Sequence, residues 1–133
     1  MHVLDNTAWH ALTGAHAEFA VGDDHAKRYR RDVSPFAAVA DPADPRAWDH
    51  LAQLVEPGEV VGVYAPGAPA GWRTLGAYDA LQLVYTADHP PVTPDIPLVD
   101  LGDADVADMT DLVERTKPGP FLPRTIEFGG YRG

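Results

Sequence analysis

The sequence predicts an α/β protein in which helices flank a mixed β-sheet, and three kinds of pattern predict it. Apolar residues recur at steps of three and four in residues 45–55 and 106–116, which is the period of an amphipathic helix. Residues 59–64 and 81–86 are apolar or alternate between apolar and polar, which is typical of β-strands. Thirteen prolines and twelve glycines interrupt the chain, so these elements should be short and joined by loops.

Length and composition indicate a folded, acidic protein. A chain of 133 residues, 45% of them hydrophobic, can form one domain with an appended piece. Its formal net charge of -10 disfavours nucleic acid and anionic membranes as partners and favours a basic one, such as an amine. The absence of cysteine excludes a disulfide framework and a cysteine nucleophile.

Metal sites and serine hydrolysis have little support in the residue pattern. The six histidines show no spacing typical of a zinc site, so no metal is expected. Ser34 is the only serine, and it precedes proline outside any G-x-S-x-G pattern. The first residues lack the features of a signal peptide, and no apolar run is long enough to span a membrane, which favours a cytoplasmic location.

The first predicted element is one broken helix or two short helices. Asp5 or Asn6 can cap its start, and Gly14 weakens its middle. The residues at helical spacing are Trp9, Leu12, His16 and Phe19. We expect Trp9 and Phe19 in the core rather than at a ligand, because both fall on this periodic face.

The only basic cluster in the sequence lies at residues 27–31, Lys-Arg-Tyr-Arg-Arg. One interpretation is a phosphate-binding patch. The other is a solvated strand edge whose charges discourage pairing with other chains. We favour the strand edge, because no Gly-rich turn adjoins these residues to complete a phosphate cradle.

A helix followed by strands is predicted from Asp44 onward. Asp44 is a suitable helix cap, Pro45 suits the first helical position, and Pro57-Gly58 ends the helix. Its expected buried stripe is Trp48, Leu51, Leu54 and Val55. The predicted strands after it are residues 59–64, residues 72–77 and the half-buried residues 81–86.

The chain divides at a proline-rich linker. Residues 89–97 contain four prolines, which is too many for a helix or an inner strand. We therefore predict an N-terminal α/β region at residues 1–92, a linker at 93–97 and a second unit at 98–133.

The second unit begins with a short apolar strand at residues 98–101 and continues into a helix. Asp103 or Asp105 can cap that helix, and Pro118-Gly119-Pro120 stops it. Its expected apolar face contains Val106, Met109, Leu112, Val113 and Thr116. The acidic start and basic end of the helix both suit its dipole.

A family resemblance lies in two overlapping stretches of the sequence. One is the run from Thr116 to Thr125, which contains a P-G-P-F turn, and the other is the R-T-x-E-x-G-x-Y pattern that overlaps its end. Together with the preceding strand and acidic-capped helix, they resemble the opening of the core in a branch of the GNAT superfamily of acetyl-CoA-dependent N-acetyltransferases. That branch carries an extra N-terminal region. The resemblance covers residues 98–133 well and earlier residues more loosely, and it implies a mainly antiparallel sheet and an incomplete GNAT-like fold.

The resemblance also implies a reaction and a candidate site. GNAT enzymes transfer an acetyl group from acetyl-CoA to an amine, here carried by a small molecule or a peptide. By position, Phe121 and Arg124 would lie on the acceptor loop and Glu127 near the acceptor cleft, so these three are the candidate substrate-binding residues. Each has a structural alternative: Phe121 packs the turn against the core, Arg124 binds exposed carbonyls and Glu127 is solvated. No catalytic residue is assigned.

One element of the family is missing from the sequence. GNAT enzymes bind the pyrophosphate of acetyl-CoA on a Q/R-x-x-G-x-G/A turn before a helix, and no such motif occurs here. The nearest Gly-rich stretch, residues 66–71, contains two prolines and lacks the leading Gln or Arg. We therefore predict an ordinary turn there and no cofactor-binding residue in this chain.

Two functions follow as alternatives. The first is the N-terminal part of a GNAT acyltransferase, not competent by itself and completed by the same gene, another chain or a domain swap. The second is a non-catalytic protein-interaction module derived from the GNAT fold. In both, an unpaired strand at residues 128–132 predicts self-association or a complementing C-terminal half.

Overall fold

Most helices and strands of this computed structural model lie in the first half of the chain. The structure describes residues 2–81, 83–90 and 95–133. The helices are α1 (Thr7–Leu12), α2 (Pro45–Leu54) and α3 (Val106–Thr116). The strands are β1 (Ala20–Gly22), β2 (Ala26–Tyr29), β3 (Phe36–Val39) and β4 (Gly62–Val63). Short 3-10 turns lie at Val3–Asn6, Ala17–Phe19, Asp103–Asp105 and Thr125–Phe128.

The four strands form one sheet in the order β1-β2-β3-β4. The first three strands pair antiparallel, with Val21 opposite Arg28 and Lys27 opposite Ala38. β3 pairs with β4 in parallel, and α2 lies in the crossover connection that a parallel pair requires. The prediction of a mixed, mainly antiparallel sheet with flanking helices is therefore confirmed.

Helices cover both faces of this sheet. Neighbouring residues of a strand point to opposite faces, and Ala38 belongs to one core cluster while Ala37 and Val39 belong to the other. The α1 cluster contains Ala8, Leu12, Phe19, Tyr29, Val33 and Ala38. The α2 cluster contains Ala26, Ala37, Val39, Ala47, Trp48 and Leu51. Phe19 lies in the core as predicted, and Trp9 is half-buried against the α1 cluster.

The first helical segment is tied to the sheet through its cap. The Asn6 side-chain oxygen accepts a hydrogen bond from the Trp9 amide at 3.4 Å, and its amide nitrogen donates to the Val39 carbonyl at 2.8 Å. Asn6 is buried, and these two bonds satisfy both of its polar atoms. The helix ends at Leu12 and a separate 3-10 turn follows. Of the two predicted forms, one broken helix or two short helices, the structure has the second.

The second helix begins where the sequence predicts. The Asp44 carboxylate accepts a hydrogen bond from the Arg46 amide at 3.0 Å, and Pro45 is the first helical residue. The predicted burial of Trp48 is confirmed, since only 4% of it is exposed. Its indole lies edge-on to Trp72, with ring centroids 5.7 Å apart.

The strands predicted after α2 are mostly absent. β4 occupies only two residues of the predicted strand at 59–64, and residues 72–77 form no strand. Trp72 is held by its ring contact with Trp48 rather than by a sheet ladder. The prediction of a strand at 72–77 is therefore wrong.

The prediction of a half-buried strand at residues 81–86 is also wrong for its described part. Residue 82 lies outside the described residues, and the others form no strand. Leu81 and Leu83 are 93% and 92% exposed. A strand needs a neighbour for its backbone hydrogen bonds, and the described chain places no strand beyond β4 at that edge of the sheet.

The C-terminal residues form a short antiparallel ladder. Asp100 lies opposite Arg132, and backbone hydrogen bonds flank this pair on both sides. These bonds run from Val99 N to Gly133 O (2.9 Å), from Gly133 N to Val99 O (3.1 Å) and from Leu101 N to Tyr131 O (2.9 Å). The apolar stretch at 98–101 is therefore the partner of residues 131–133, and the prediction that residues 128–132 lack a partner is wrong for residues 131 and 132.

α3 has the predicted ends, and its apolar face is only partly buried. The Gly102 amide donates to the Asp105 carboxylate at 2.8 Å just before the helix. Lys117 ends the helix in a left-handed conformation, and its amide donates to the Val113 carbonyl at 2.8 Å. No residue of α3 is buried, and Leu112 is 52% exposed.

The predicted division of the chain into two units stays a prediction. Residues 93 and 94 of the linker lie outside the described residues. Residues 95–97 are exposed and belong to no helix or strand.

Candidate functional site

The loop after α3 carries the three predicted substrate-binding residues. Lys117 has a φ of 52°, and the Pro118-Gly119-Pro120 run that follows prevents the helix from continuing. The chain then turns back through the 3-10 turn Thr125–Phe128. We call residues 121–128 the acceptor loop.

Phe121 packs against the C-terminal ladder. Its ring lies edge-on to the Tyr131 ring, with centroids 5.9 Å apart and an interplanar angle of 89°. Both residues are half-buried, and burial raises the pKa of the Tyr131 hydroxyl. Phe121 thus has a fixed orientation and an accessible side, and its role in binding stays a prediction.

Glu127 lies between two arginines. Its carboxylate accepts a hydrogen bond from the Arg30 guanidinium at 2.6 Å and forms a second ion pair with the Arg124 guanidinium. The hydrogen bonds from Arg124 and Arg30 lower the pKa of Glu127. Glu127 is therefore ionised and binds both arginines. The structural alternatives were a solvated Glu127 and an Arg124 that binds exposed carbonyls, and the structure shows neither.

Backbone hydrogen bonds also attach the acceptor loop to the segment after β2. The Arg124 amide donates to the Asp32 carbonyl at 2.9 Å. The Thr125 hydroxyl donates to the Val33 carbonyl at 2.7 Å and accepts from the Leu122 amide at 2.8 Å. Thr125 and Val33 are buried, so the Thr125 hydroxyl satisfies a buried backbone carbonyl as well as the amide of the half-buried Leu122.

Aromatic contacts fix the end of the same loop. The Phe128 ring stacks on His16 with centroids 4.7 Å apart and lies edge-on to Phe19 at 5.2 Å. The Tyr29 hydroxyl lies 2.8 Å from His16 Nδ1, which orients the histidine ring. The acceptor loop therefore packs on the α1 cluster, and no local sequence pattern indicates this contact.

The arginines of the basic cluster are paired with carboxylates. β2 lies between β1 and β3, so the prediction of a solvated strand edge is wrong. The Arg28 side chain is 4% exposed and binds Glu59 at 2.7 Å, and Arg31 binds the same carboxylate at 3.1 Å. These hydrogen bonds hold the pKa of Glu59 well below its usual range. Because Arg30 binds Glu127, all three arginines serve internal ion pairs rather than a phosphate.

The two longer helices of the described chain do not present their N-termini to a phosphate. α2 begins at Asp44, whose carboxylate binds both the amide and the guanidinium of Arg46. Asp105 precedes α3, and Asp108 lies in its first turn. These carboxylates occupy the positions where the helix dipole would otherwise favour a bound phosphate.

The Gly-rich turn at residues 66–71 also does not fit a pyrophosphate. No helix follows it among the described residues before α3. The shallow depression beside it is lined by Asp5 and Asp41, which would repel an anion. The Gly-rich turn therefore does not fit the diphosphate of acetyl-CoA.

The histidines make local contacts. His50 Nδ1 lies 2.6 Å from the Asp23 carboxylate and its ring is 4.5 Å from that of His25, centroid to centroid. The hydrogen bond to His50 lowers the pKa of Asp23. Within residues 2–81, 83–90 and 95–133, no three histidine or acidic side chains are close enough together to hold a metal ion. No helix in these ranges is long and apolar enough to cross a membrane.

A comparison with solved structures identifies the fold. All of this chain matches a protein from Novosphingobium aromaticivorans DSM 12444, named as an acetyltransferase of the GNAT family, with a TM-score of 0.74 and 30% sequence identity. The chain has the GNAT fold. It covers 59% of the length of that protein. No protein-family model matches the sequence, and no curated protein matches it significantly.

The match confirms the GNAT-like fold predicted from residues 98–133 and extends it over the whole chain. The N-terminal residues that anchor the acceptor loop are therefore part of the same GNAT-like structure as the loop itself.

Proposed function

We propose that this chain is the N-terminal part of a GNAT acyltransferase that transfers an acetyl group from acetyl-CoA to an amine. The observation that carries the proposal is the match of the whole chain to 59% of a GNAT protein named as an acetyltransferase. We infer that the remainder of such a fold must be added before the chain is active.

The acceptor loop is the proposed contact for the amine substrate. Phe121 offers the accessible side of an aromatic ring, and Arg124 extends a half-exposed side chain from the same loop. The net charge of -10 favours a basic substrate at long range. A small amine or a peptide amine suits the acidic net charge of the chain and the apolar ring of Phe121.

Glu127 is proposed to position Arg124 and not to remove the proton from the amine. A general base works best when its pKa lies near the working pH. The two arginines lower the pKa of Glu127, which makes its carboxylate a weak base. Deprotonation of the amine would then require a group from the rest of the fold.

Acetyl-CoA is proposed as the donor because of the family, with its diphosphate bound outside this chain. The carboxylates at the starts of α2 and α3 and the paired arginines of β2 support that location. No step of the transfer is therefore assigned to a residue of this chain.

A ligand-dependent melting measurement tests the proposal. Ligand at about 100 times its dissociation constant stabilises a folded binder by about 2.7 kcal/mol, which raises the melting temperature by several degrees. We expect no shift with millimolar acetyl-CoA for the 133-residue chain. We expect a clear shift and amine acetylation once the chain is extended by downstream coding sequence that carries a Q/R-x-x-G-x-G/A turn.

Two results would contradict the proposal. A saturable shift in the chain alone that Gly67→Val and Gly71→Val abolish would place a cofactor site in the N-terminal region. An extended chain that carries the motif, folds, and neither binds acetyl-CoA nor acetylates amines would reject the enzymatic function.

The second candidate function is a non-catalytic interaction module derived from the GNAT fold. Exposed apolar side chains favour it: Tyr78 and Leu81 are each 93% exposed, and such side chains are typical of contact surfaces. A natural stop codon after residue 133, with no cofactor motif in any downstream frame, would support this module. Both candidates are proposed to act in the cytoplasm, which cell fractionation would test.

A further inference from the structure

The C-terminal part of the chain presents apolar side chains that the described residues leave about half exposed or more. Four of these residues, Ile96, Leu98, Val99 and Leu112, are 64%, 49%, 63% and 52% exposed. α3 has an apolar face at helical spacing, yet none of its residues is buried. Val106, Met109 and Val113 on this face are half-buried, whereas Leu112 is exposed. An amphipathic helix is normally stabilised by burying such a face, so the packing of α3 is incomplete in the described chain.

The ladder beside α3 is equally incomplete. The amides of Val99, Leu101 and Gly133 point into the ladder, so the amides of Asp100 and Arg132 point to its two outer edges. Neither of these outer amides donates a hydrogen bond to any residue that the structure describes. Two strands alone are marginally stable in water, and a third strand or a packed helix is what stabilises them.

Charge and length indicate what covers this surface. Two copies of a chain with a net charge of -10 repel each other, which disfavours a second copy as the occupant. The GNAT protein that matches the whole chain is longer, and the part of it without a counterpart here must pack somewhere on the shared fold.

We propose that the 98–101/131–133 ladder and the apolar face of α3 form the docking surface for the polypeptide that completes the GNAT fold. That polypeptide adds a β-strand to an outer edge of the ladder and covers Leu112. Backbone pairing fixes the register of the added strand, and burial of the α3 face provides the apolar contact. This inference rests on the proposed function and assigns its completing partner to a defined surface.

Amide hydrogen exchange with a defined probe tests the docking surface. The probe is a purified polypeptide comprising the part of the Novosphingobium protein that this chain does not match, added to the 133-residue chain. We expect a 1:1 complex in which the Asp100 or the Arg132 amide exchanges at least about tenfold more slowly, because an added strand accepts its hydrogen bond.

A matched pair of α3 variants separates docking from general effects. Leu112→Gln places an amide in the proposed contact and should weaken the complex by about tenfold or more. Ala107→Gln adds the same side chain at another exposed position of α3 and should change the affinity by less than about twofold. Equal effects of the two substitutions would overturn the assignment of the α3 face.

The remaining outcomes also decide the question. A folded probe in 100-fold excess that leaves both outer amides unprotected overturns the proposal, and so does protection of these amides by a dimer of the chain alone. A complex with protected amides that transfers no acetyl group keeps the docking surface and rejects the proposed enzyme. Acetyl transfer that is insensitive to Leu112→Gln keeps the enzyme and rejects the docking surface.

Discussion

The two ends of this chain differ in how completely they bury their apolar residues. In the described chain, every buried apolar side chain except Ile126 lies between Ala8 and Leu51. The N-terminal sheet has a helix packed on each face. The C-terminal end has a helix of similar length, α3, without a single buried residue. The difference shows that a correct helix pattern does not by itself produce a core, because the face must meet a second surface.

The acceptor loop is where the second region depends on the first. Thr125 and Ile126 are buried, whereas the residues of α3 just before the loop are not. The loop donates hydrogen bonds to the Asp32 and Val33 carbonyls, and its Glu127 forms an ion pair with Arg30. The candidate site is therefore ordered by the N-terminal core and not by the helix that precedes it in the chain.

The largest effect on stability is expected from creating a cavity in the N-terminal core. Leu51 is fully buried in the α2 cluster, and Leu51→Ala should lower the free energy of unfolding by about 2–5 kcal/mol through lost burial and a residual cavity. Chemical denaturation measures this change. A loss below about 1 kcal/mol would mean that the α2 cluster is not the packed core of the molecule.

A smaller loss is expected at the junction between the two regions. Thr125→Val removes the hydroxyl that serves the Val33 carbonyl and the Leu122 amide, and leaving these groups unsatisfied should cost about 1–3 kcal/mol. Thr116→Val is the matched control, because the Thr116 hydroxyl binds a carbonyl in its own exposed helix. Similar losses in both variants would show that the junction contributes nothing beyond local helix effects.

Local elements of the fold were predictable, and long-range partners were not. The Asp44-Pro45 start of α2, the Asn6 cap and the end of α3 depend on residues within a few positions of one another, and the structure has all three. Glu127 binds Arg30 across 97 positions, a pairing that no local pattern contains. The strand predicted at residues 81–86 failed for the same reason, since strand formation depends on a neighbour elsewhere in the chain.

Lowering the pH should weaken the ion pairs that Glu59 and Glu127 form with arginines elsewhere in the chain, and those of Glu59 should weaken most. The arginines lower the pKa of Glu59 and of Glu127 in the folded protein below the ordinary value of 4.5. The unfolded chain therefore binds more protons as the pH falls below 4.5, so this stabilisation is complete above that value and is lost on acidification.

Melting temperatures recorded between about pH 7 and pH 3 measure this dependence. Glu59→Gln should reduce the fall in melting temperature at low pH more than Glu127→Gln does, because Glu59 binds the buried Arg28. Glu114→Gln, on the exposed face of α3, is the control and should leave the curve unchanged. A wild-type curve that is flat below pH 4.5 would contradict the role of these carboxylates.

The smallest effect is expected in α3, where the contrast between the two regions is sharpest. Leu112 is 52% exposed, so Leu112→Ala should change the free energy of unfolding of this chain by less than about 0.5 kcal/mol, well below the effect of Leu51→Ala. Alanine also has the higher helix propensity, which offsets part of the lost apolar contact. The same substitution should become more costly once a partner covers α3, because Leu112 then joins a packed interface. Denaturation of the chain alone and of its complex measures both values. A loss of about 2 kcal/mol in the chain alone would show that α3 already has a packed core of its own.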